Sequence, residues 1–228
     1  MEQYISKLNQ THAALTAKER LSAVFDEFGQ ERVLITSSFG TSSVYLLSLV
    51  QEVSPGKEIY FIDTSFHFRE TYVYKEYLTA YFNLNVIDLI PHKLENEFTR
   101  VNKLWKTDPD RCCGINKVTP LEDLKKKHTI WVSGLMKFQN SHREKKKLFE
   151  ENGIIRFYPV IDTDKEELTS FIHRHNLPQH PLAVNGYDSI GCIHCTKKGV
   201  ERAGRWDKFE KTECGLHEDY LDKNKKSA

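Results

Sequence analysis

The chain of 228 residues carries 33 Lys and Arg against 32 Asp and Glu, a formal net charge of +1, and 39% of it is hydrophobic. That balance supplies no global field toward nucleic acid or an anionic membrane, and no apolar run reaches the about eighteen residues of a membrane helix. The length suits one domain with a large core, and the polar stretch Met1 to Lys18 lacks the apolar centre of a secretory signal, so a reducing cytoplasm is expected.

Apolar residues from Tyr4 to Phe28 recur at mixed three- and four-residue steps, which predicts a helix or helix pair ended by Gly29. Arg32 to Thr36 reads as a buried strand. It runs into Ser37-Ser38-Phe39-Gly40-Thr41-Ser42-Ser43, and Val44 to Val50 continues as an apolar helix. A strand, a small-residue turn and a helix start form an anion cradle, because backbone N–H groups converge there and the helix dipole adds to them. The bland alternative is an ordinary loop with serine caps. The G-x-x-x-x-G-K-[ST] pattern of a Walker A loop is absent.

Pro55-Gly56 is a turn, Glu58 to Ile62 a second strand, Phe68 to Phe82 a helix and Asn85 to Ile90 a third strand. This alternation predicts an α/β fold: a parallel, doubly wound, Rossmann-type sheet with helices on both faces. Ligands of such sheets sit beyond the carboxyl ends of the strands, where the serine loop and Asp63 both fall. Lys93 to Lys106 is expected as a helix broken by Asp108-Pro109. Cys112 and Cys113 follow, then a helix from Asn116 to Lys127 with Lys117 one turn from the cysteines. Thr129 to Ser133 is a fourth strand opening into Gly134, Gln139, Ser141 and Arg143, and Ile154 to Val160 a short fifth. Asp164 caps a helix to His175. Beyond Pro178 and Pro181 come Gly186-Tyr187, a C-x-x-C, and a basic run with Lys197, Lys198, Arg202, Arg205 and Trp206. That run is either a solvated face or a cationic wall.

The five cysteines sort into four plus one. Cys192 and Cys195 form the C-x-x-C, Cys112 and Cys113 are adjacent, and Cys214 stands alone in Glu213-Cys214-Gly215-Leu216-His217. Two close pairs of thiolates can close a tetrahedral metal or iron–sulfur site. Zinc is the rival, and buried free cysteine the bland reading. Adjacent side chains on a helix diverge by about 100°, so they reach two points, which suits two irons of one cluster better than one zinc. The leftover Cys214, near a potential cation in His217, is the candidate nucleophile.

Ser37-Ser38-Phe39-Gly40, Ile62-Asp63-Thr64 with Glu70-Thr71, Arg111-Cys112-Cys113-Gly114-Ile115, Gly134-Leu135 through Arg143, Gly191-Cys192 to Cys195-Thr196, Gly204-Arg205-Trp206 and Glu213 to His217 together resemble the assimilatory adenylyl-sulfate (APS) and phosphoadenylyl-sulfate (PAPS) reductases. The likeness runs from about Arg32 to His217. It implies a PP-loop (adenine nucleotide alpha hydrolase-like) domain over residues 1–206, with an N-terminal helical segment 1–28 and a mobile catalytic tail 207–228. It further implies attack by Cys214 on the sulfonyl sulfur, release of AMP, and resolution of the S-sulfocysteine by thioredoxin or glutaredoxin. The chain stops soon after Cys214, so the donor is expected to be external. Ser37, Ser38, Phe39, Gly40, Thr41, Asp63 and Gly134 would hold the nucleotide, and Lys117, Arg143, Arg202, Arg205 and His217 its anionic end. Cys112, Cys113, Cys192 and Cys195 resemble the ligands of the branch that carries a 4Fe-4S cluster and prefers APS.

Two departures bear on substrate choice. The Ser37 to Gly40 loop resembles the PAPS branch as much as the other, and Met136, beside Lys137, stands where relatives place an arginine. PAPS or dual use therefore stays open beside APS. Two readings from other classes are a PP-loop enzyme that adenylates with ATP, whose Ser-Gly-Gly-x-Asp-Ser loop is absent, and a non-catalytic zinc protein. The sequence leaves a homo-oligomer open.

Overall fold

Thr16 and Glu19 divide the N-terminal segment into two helices, α1 (Glu2–His12) and α2 (Ala17–Phe28). Glu19 N–H donates to Thr16 Oγ1 at 3.3 Å and Thr16 N–H to Glu19 Oε2 at 2.8 Å, a reciprocal cap that starts α2. The computed structural model describes residues 1–217. Arg20, buried on α2, holds the pair onto the domain. Its two Nη atoms reach Asp162 at 2.6 and 2.7 Å, and the same guanidinium donates to the carbonyls of His12, Ala13 and Pro159.

The expected alternation follows: β1 (Val33–Ser37), α3 (Ser43–Val53), β2 (Glu58–Ile62), α4 (Arg69–Tyr81) and β3 (Asn85–Leu89). The segment expected as one helix over 93–106 is two, α5 (Lys93–Val101) and α6 (Leu104–Thr107), because Lys103 takes a left-handed φ of 48° between them. Asp108 then caps α7 (Pro109–Cys113), its carboxylate accepting from Arg111 N–H at 2.9 Å. A π-helical turn, Gly114–Val118, leads into α8 (Thr119–Lys127), so the helix expected from Asn116 continues directly from the cysteine pair. Then come β4 (Ile130–Val132), α9 (Ser141–Glu144), β5 (Phe149–Glu151), β6 (Ile155–Phe157) and α10 (Lys165–Arg174).

The sheet order is β3-β2-β1-β4-β6-β5. Five strands are parallel, as expected, and a sixth that the sequence reading did not include, β5, runs antiparallel to β6 at the edge. The fifth strand expected over 154–160 is shorter. Asn152-Gly153, with Gly153 at φ 68°, turns the chain into a β5–β6 hairpin.

Alternate side chains of the central strands enter opposite cores, as a sheet covered on both faces requires. Val33 and Ile35 of β1, with Ile130 and Val132 of β4, pack in the larger cluster with α2, α3 and α10. Leu34 and Trp131 face the other way, against Leu121 of α8 and Ile154. On the outer edge, the Asn9 carboxamide donates to Phe149 O at 2.9 Å and accepts from Phe149 N–H at 3.0 Å. Beyond α10 the chain is largely irregular, held by short bridges: His67 with Cys192, Tyr187 with Gly199 and Thr196 with Arg205.

Candidate active site

The carboxyl end of β1 sets the first wall of the site. Ser37 ends the strand, its hydroxyl accepting from Phe39 N–H at 3.2 Å, and the chain turns through Phe39 at φ 47° into α3. A phenylalanine at positive φ is uncommon, and burial of its ring accounts for it: Phe39 is fully buried, edge-on to Phe61 with centroids 5.6 Å apart. The turn leaves Ser37, Ser38, Gly40 and Thr41 lining a cavity of about 380 Å³, with Gly134 after β4 on its far side. Two residues expected to face a ligand lie elsewhere. Phe39 is a core residue, and the Asp63 carboxylate accepts from Ser65 N–H at 2.8 Å and Tyr72 Oη–H at 2.7 Å, outside the cavity lining. Met136 likewise lies fully buried in the larger core and does not line the cavity.

The opposite wall is cationic. Lys117, Arg143, Arg202 and Arg205 line it together with Cys214 and His217, which the chain brings in from the tail. Lys117 enters from the π turn, where the widened backbone also turns Asn116 inward to Cys112 O at 2.9 Å. The tail is held by Glu213, whose side chain is fully buried. Its carboxylate accepts from Arg143 Nε and from Arg143 Nη2 at 3.0 Å, Arg202 Nη2 at 3.2 Å and Asn140 Nδ2 at 3.0 Å. Burial alone would raise its pKa, but the guanidiniums of Arg143 and Arg202 outweigh burial and hold it far below the usual carboxylate range. His217 is not the cation expected. Burial, reinforced by Arg143, Arg156 and Arg202, pushes its pKa well down, and the neutral ring stacks on Trp131 at 5.2 Å.

Behind Lys117 and Trp206, which line both spaces, lies a second, much smaller pocket. Cys112, Cys113, Cys192 and Cys195 all line it, walled by Phe66, Trp105 and His194, and all four are free thiols. Among the described residues no three His, Cys, Asp or Glu side chains converge on a point that would hold a single metal ion. Burial pushes the Cys112 thiol up to about 12 and Cys195 up to about 11, so as free thiols they stay protonated. Polar groups already address the sulfurs: Asn116 Nδ2 donates to Cys112 Sγ at 3.7 Å, and Thr64 Oγ1 shares a hydrogen bond with Cys192 Sγ at 3.4 Å. An apolar box with four thiols and hydrogen bonds aimed at sulfur fits the donor set of an iron–sulfur cluster.

Comparison with known proteins reaches the same fold. Residues 32–198 match the family model described as the phosphoadenosine phosphosulfate reductase domain. The chain belongs to that reductase family. Its relatives include proteins named adenosine 5'-phosphosulfate reductase from Bacillus cereus (strain Q1), 36% identical over 222 residues, and from Bacillus cytotoxicus, 36% identical over 223. These cover 93% of this chain and 93% and 94% of theirs. The phosphoadenylyl-sulfate reductase of Candida auris superposes with a TM-score of 0.72 at 24% identity, covering 86% of this chain and 98% of that one. The fold is shared more widely: an FMN adenylyltransferase of Candida glabrata matches with a TM-score of 0.55 at 14% identity, covering 86% of this chain and 65% of that one. Family membership makes this chain an oxidoreductase acting on a sulfur group.

The reductase cavity also contains residues that the sequence reading passed over. His67 follows β2, donates from Nε2 to Ile62 O at 3.0 Å, and is kept neutral by burial, its pKa pulled to about 4. Its signal was the Ser65-Phe66-His67-Phe68 turn at a strand's carboxyl end. Asn140 and Glu213 left no signal as partners, being 73 positions apart.

Gly191 gives the cationic wall a test. A Cβ there would lie 2.4 Å from Arg205 Nη2 and 2.7 Å from its Cζ, so the guanidinium, the free end of a long side chain, must move. Gly191→Ala is therefore expected to keep the fold and weaken AMP binding by about tenfold, the worth of one charge-assisted hydrogen bond. Titration calorimetry checks it, and adding the change to Arg205→Ala should cost nothing further.

Proposed function

We propose that this reductase converts APS to sulfite and AMP through a sulfonate carried on Cys214, with a dithiol protein of the thioredoxin or glutaredoxin type as donor. The observation that carries this reading is that Cys214 lines one cavity with the serine loop and with Lys117, Arg143, Arg202 and Arg205. The serine loop, Gly134 and the start of α3 suit the adenosine and its phosphate. In the first step the Cys214 thiolate attacks the sulfonate sulfur, an S–S bond forms, and the S–O bond to phosphate breaks with its electron pair leaving on AMP. The cations offset the charge that grows on that oxygen. A donor thiolate then attacks Cys214 Sγ, sulfite leaves with the bonding pair, and the donor's second thiol frees Cys214 as the donor becomes a disulfide.

Cys112, Cys113, Cys192 and Cys195 would hold a 4Fe-4S cluster, which would supply a charged centre beside the cavity and tie α7 to the 192–195 turn. APS is favoured over PAPS because the four cysteines accompany an overall likeness to Bacillus proteins named for APS. Sulfite release from APS and from PAPS, measured in parallel with thioredoxin, tests the reading. A kcat/KM for APS at least tenfold above that for PAPS is expected. Equal values would make the enzyme a dual reductase, and ATP consumption without sulfite would favour the adenylating class.

A further inference from the structure

Three of the four polar contacts to Glu213 come from two residues that themselves line the ligand cavity: Arg143 through two atoms and Arg202 through one. Arg143 is fully engaged. Its Nε and Nη2 serve Glu213, its Nη1 serves Gln139 Oε1, and its backbone N–H serves Asn140 Oδ1 at 2.8 Å. Arg202 Nη2 also donates to Thr212 O at 3.2 Å, and Asn140 Nδ2 to the same oxygen at 3.3 Å. The whole set thus grips two consecutive residues, Thr212 and Glu213, immediately before the nucleophile. Hydrophobic packing adds little on this stretch, where Thr212 is exposed and Leu216 only half-buried against the smaller core.

We infer that Glu213 is the positioning residue that seats Cys214 over the cavity, by lending its carboxylate to Arg143 and Arg202, two guanidiniums that would otherwise face the cavity uncompensated. The carboxylate is an internal anion. With it in place, Arg143 and Arg202 share one negative charge from the tail side, while Lys117 and Arg205 make no ion pair with a carboxylate among the described residues. The carboxylate thus offsets one of the four positive charges that a ligand's anionic groups would meet on this wall. Removing the carboxylate should do two opposite things. It should loosen the tail and slow attack by Cys214, yet leave the cavity at least as receptive to an anionic nucleotide, because positive charge is released there. A residue that merely stabilised the fold would weaken both.

This inference rests on the proposed reaction for one of its readouts and is independent of it for the other. In the anaerobically prepared holoenzyme, Glu213→Gln keeps the side chain's size and loses its charge. The alkylation rate of Cys214 by iodoacetamide, read by mass at the Cys214 peptide, should rise ten- to a hundredfold, the worth of a lost charged hydrogen bond. Single-turnover transfer of the sulfonate from APS to Cys214 should slow by a similar factor, while AMP should bind no more weakly than to the unaltered protein. Arg143→Gln should raise alkylation likewise, and the double variant should add little to either single one. An unchanged alkylation rate in Glu213→Gln overturns the inference, as does AMP binding weakened tenfold, which would make Glu213 part of the nucleotide pocket. If Glu213→Gln does not fold, Asn140→Ala, which removes a neutral partner of the same carboxylate, is expected to raise alkylation by severalfold, and no change there overturns it too. Should the unaltered protein accept no sulfonate from APS, the proposed reaction fails while the alkylation rates still decide the role of Glu213.

Discussion

Replacing Cys214 by serine is expected to lower sulfite release about 10⁴-fold or more while APS still binds. The reason is chemical before it is geometric. Serine differs by one atom, so Glu213 and His217 keep their contacts and the tail still seats. Its hydroxyl, however, stays protonated at neutral pH and is a poor nucleophile toward sulfur. Even a serine that did react would carry a sulfate ester, whose O–S bond offers an incoming thiolate no sulfur leaving group that ends as sulfite. The mass of the unaltered protein after mixing with APS, with no reductant present, checks the same point. One sulfonate should appear on Cys214 for each AMP released. An adduct on another residue, or sulfite formed by Cys214→Ser at more than about a hundredth of the normal rate, would falsify the covalent route.

Serine at Cys192 is expected to have the second-largest effect. The residue does two things at once: it lines the four-thiol pocket, and it bridges to His67, with Ile193 N–H donating to Phe66 O at 2.7 Å. If the pocket holds a cluster, the ligand-linked stability lost with it is about 4 kcal/mol for binding at a thousandfold over Kd, or about 10 °C in Tm for a chain of this size. The anaerobically purified variant should be pale, with iron and acid-labile sulfide well below the four of each expected for the unaltered protein. Thermal melts with metal analysis measure both effects together. A colourless unaltered protein containing zinc would return the four thiols to the mononuclear reading, and a variant with full iron and unchanged Tm would remove Cys192 from the ligand set.

The parallel core of the fold was readable because its strands are buried on both faces and so appear as short apolar runs. Glu58 to Ile62 lies in the structure with the bounds its sequence suggests. Strand β5 was hidden for the converse reason: Phe149-Glu150-Glu151 carries two acids at a sheet edge where they reach water, although the Asn152-Gly153 turn beside it was a hairpin signal. The break at Lys103 had no signal, since lysine has no preference for the left-handed conformation it adopts there. In the site, residue type and strand end together pointed to the serine loop and the basic residues that line the cavity. They misdirected at Phe39 and Asp63, where the backbone is near the cavity and the side chain is turned from it. The pairing of Glu213 with Arg143, 70 positions apart, depends on a tertiary contact that no local pattern encodes. The part of the expected tail over 218–228 lies outside the described residues.

The Asn9 side chain at the rim of the sheet has a consequence for how these molecules behave in company. A strand at a sheet's margin offers its free peptide groups to any similar strand that meets it. Here a single carboxamide, one donor and one acceptor, stands in for the peptide of an absent neighbour and takes both groups of Phe149. Besides the Arg20 guanidinium at its carboxyl end, helix α1 is held by Tyr4 and Asn9, whose side chains reach Glu27 and Phe149. Trimming that helix would therefore uncover a sticky margin on an otherwise intact domain.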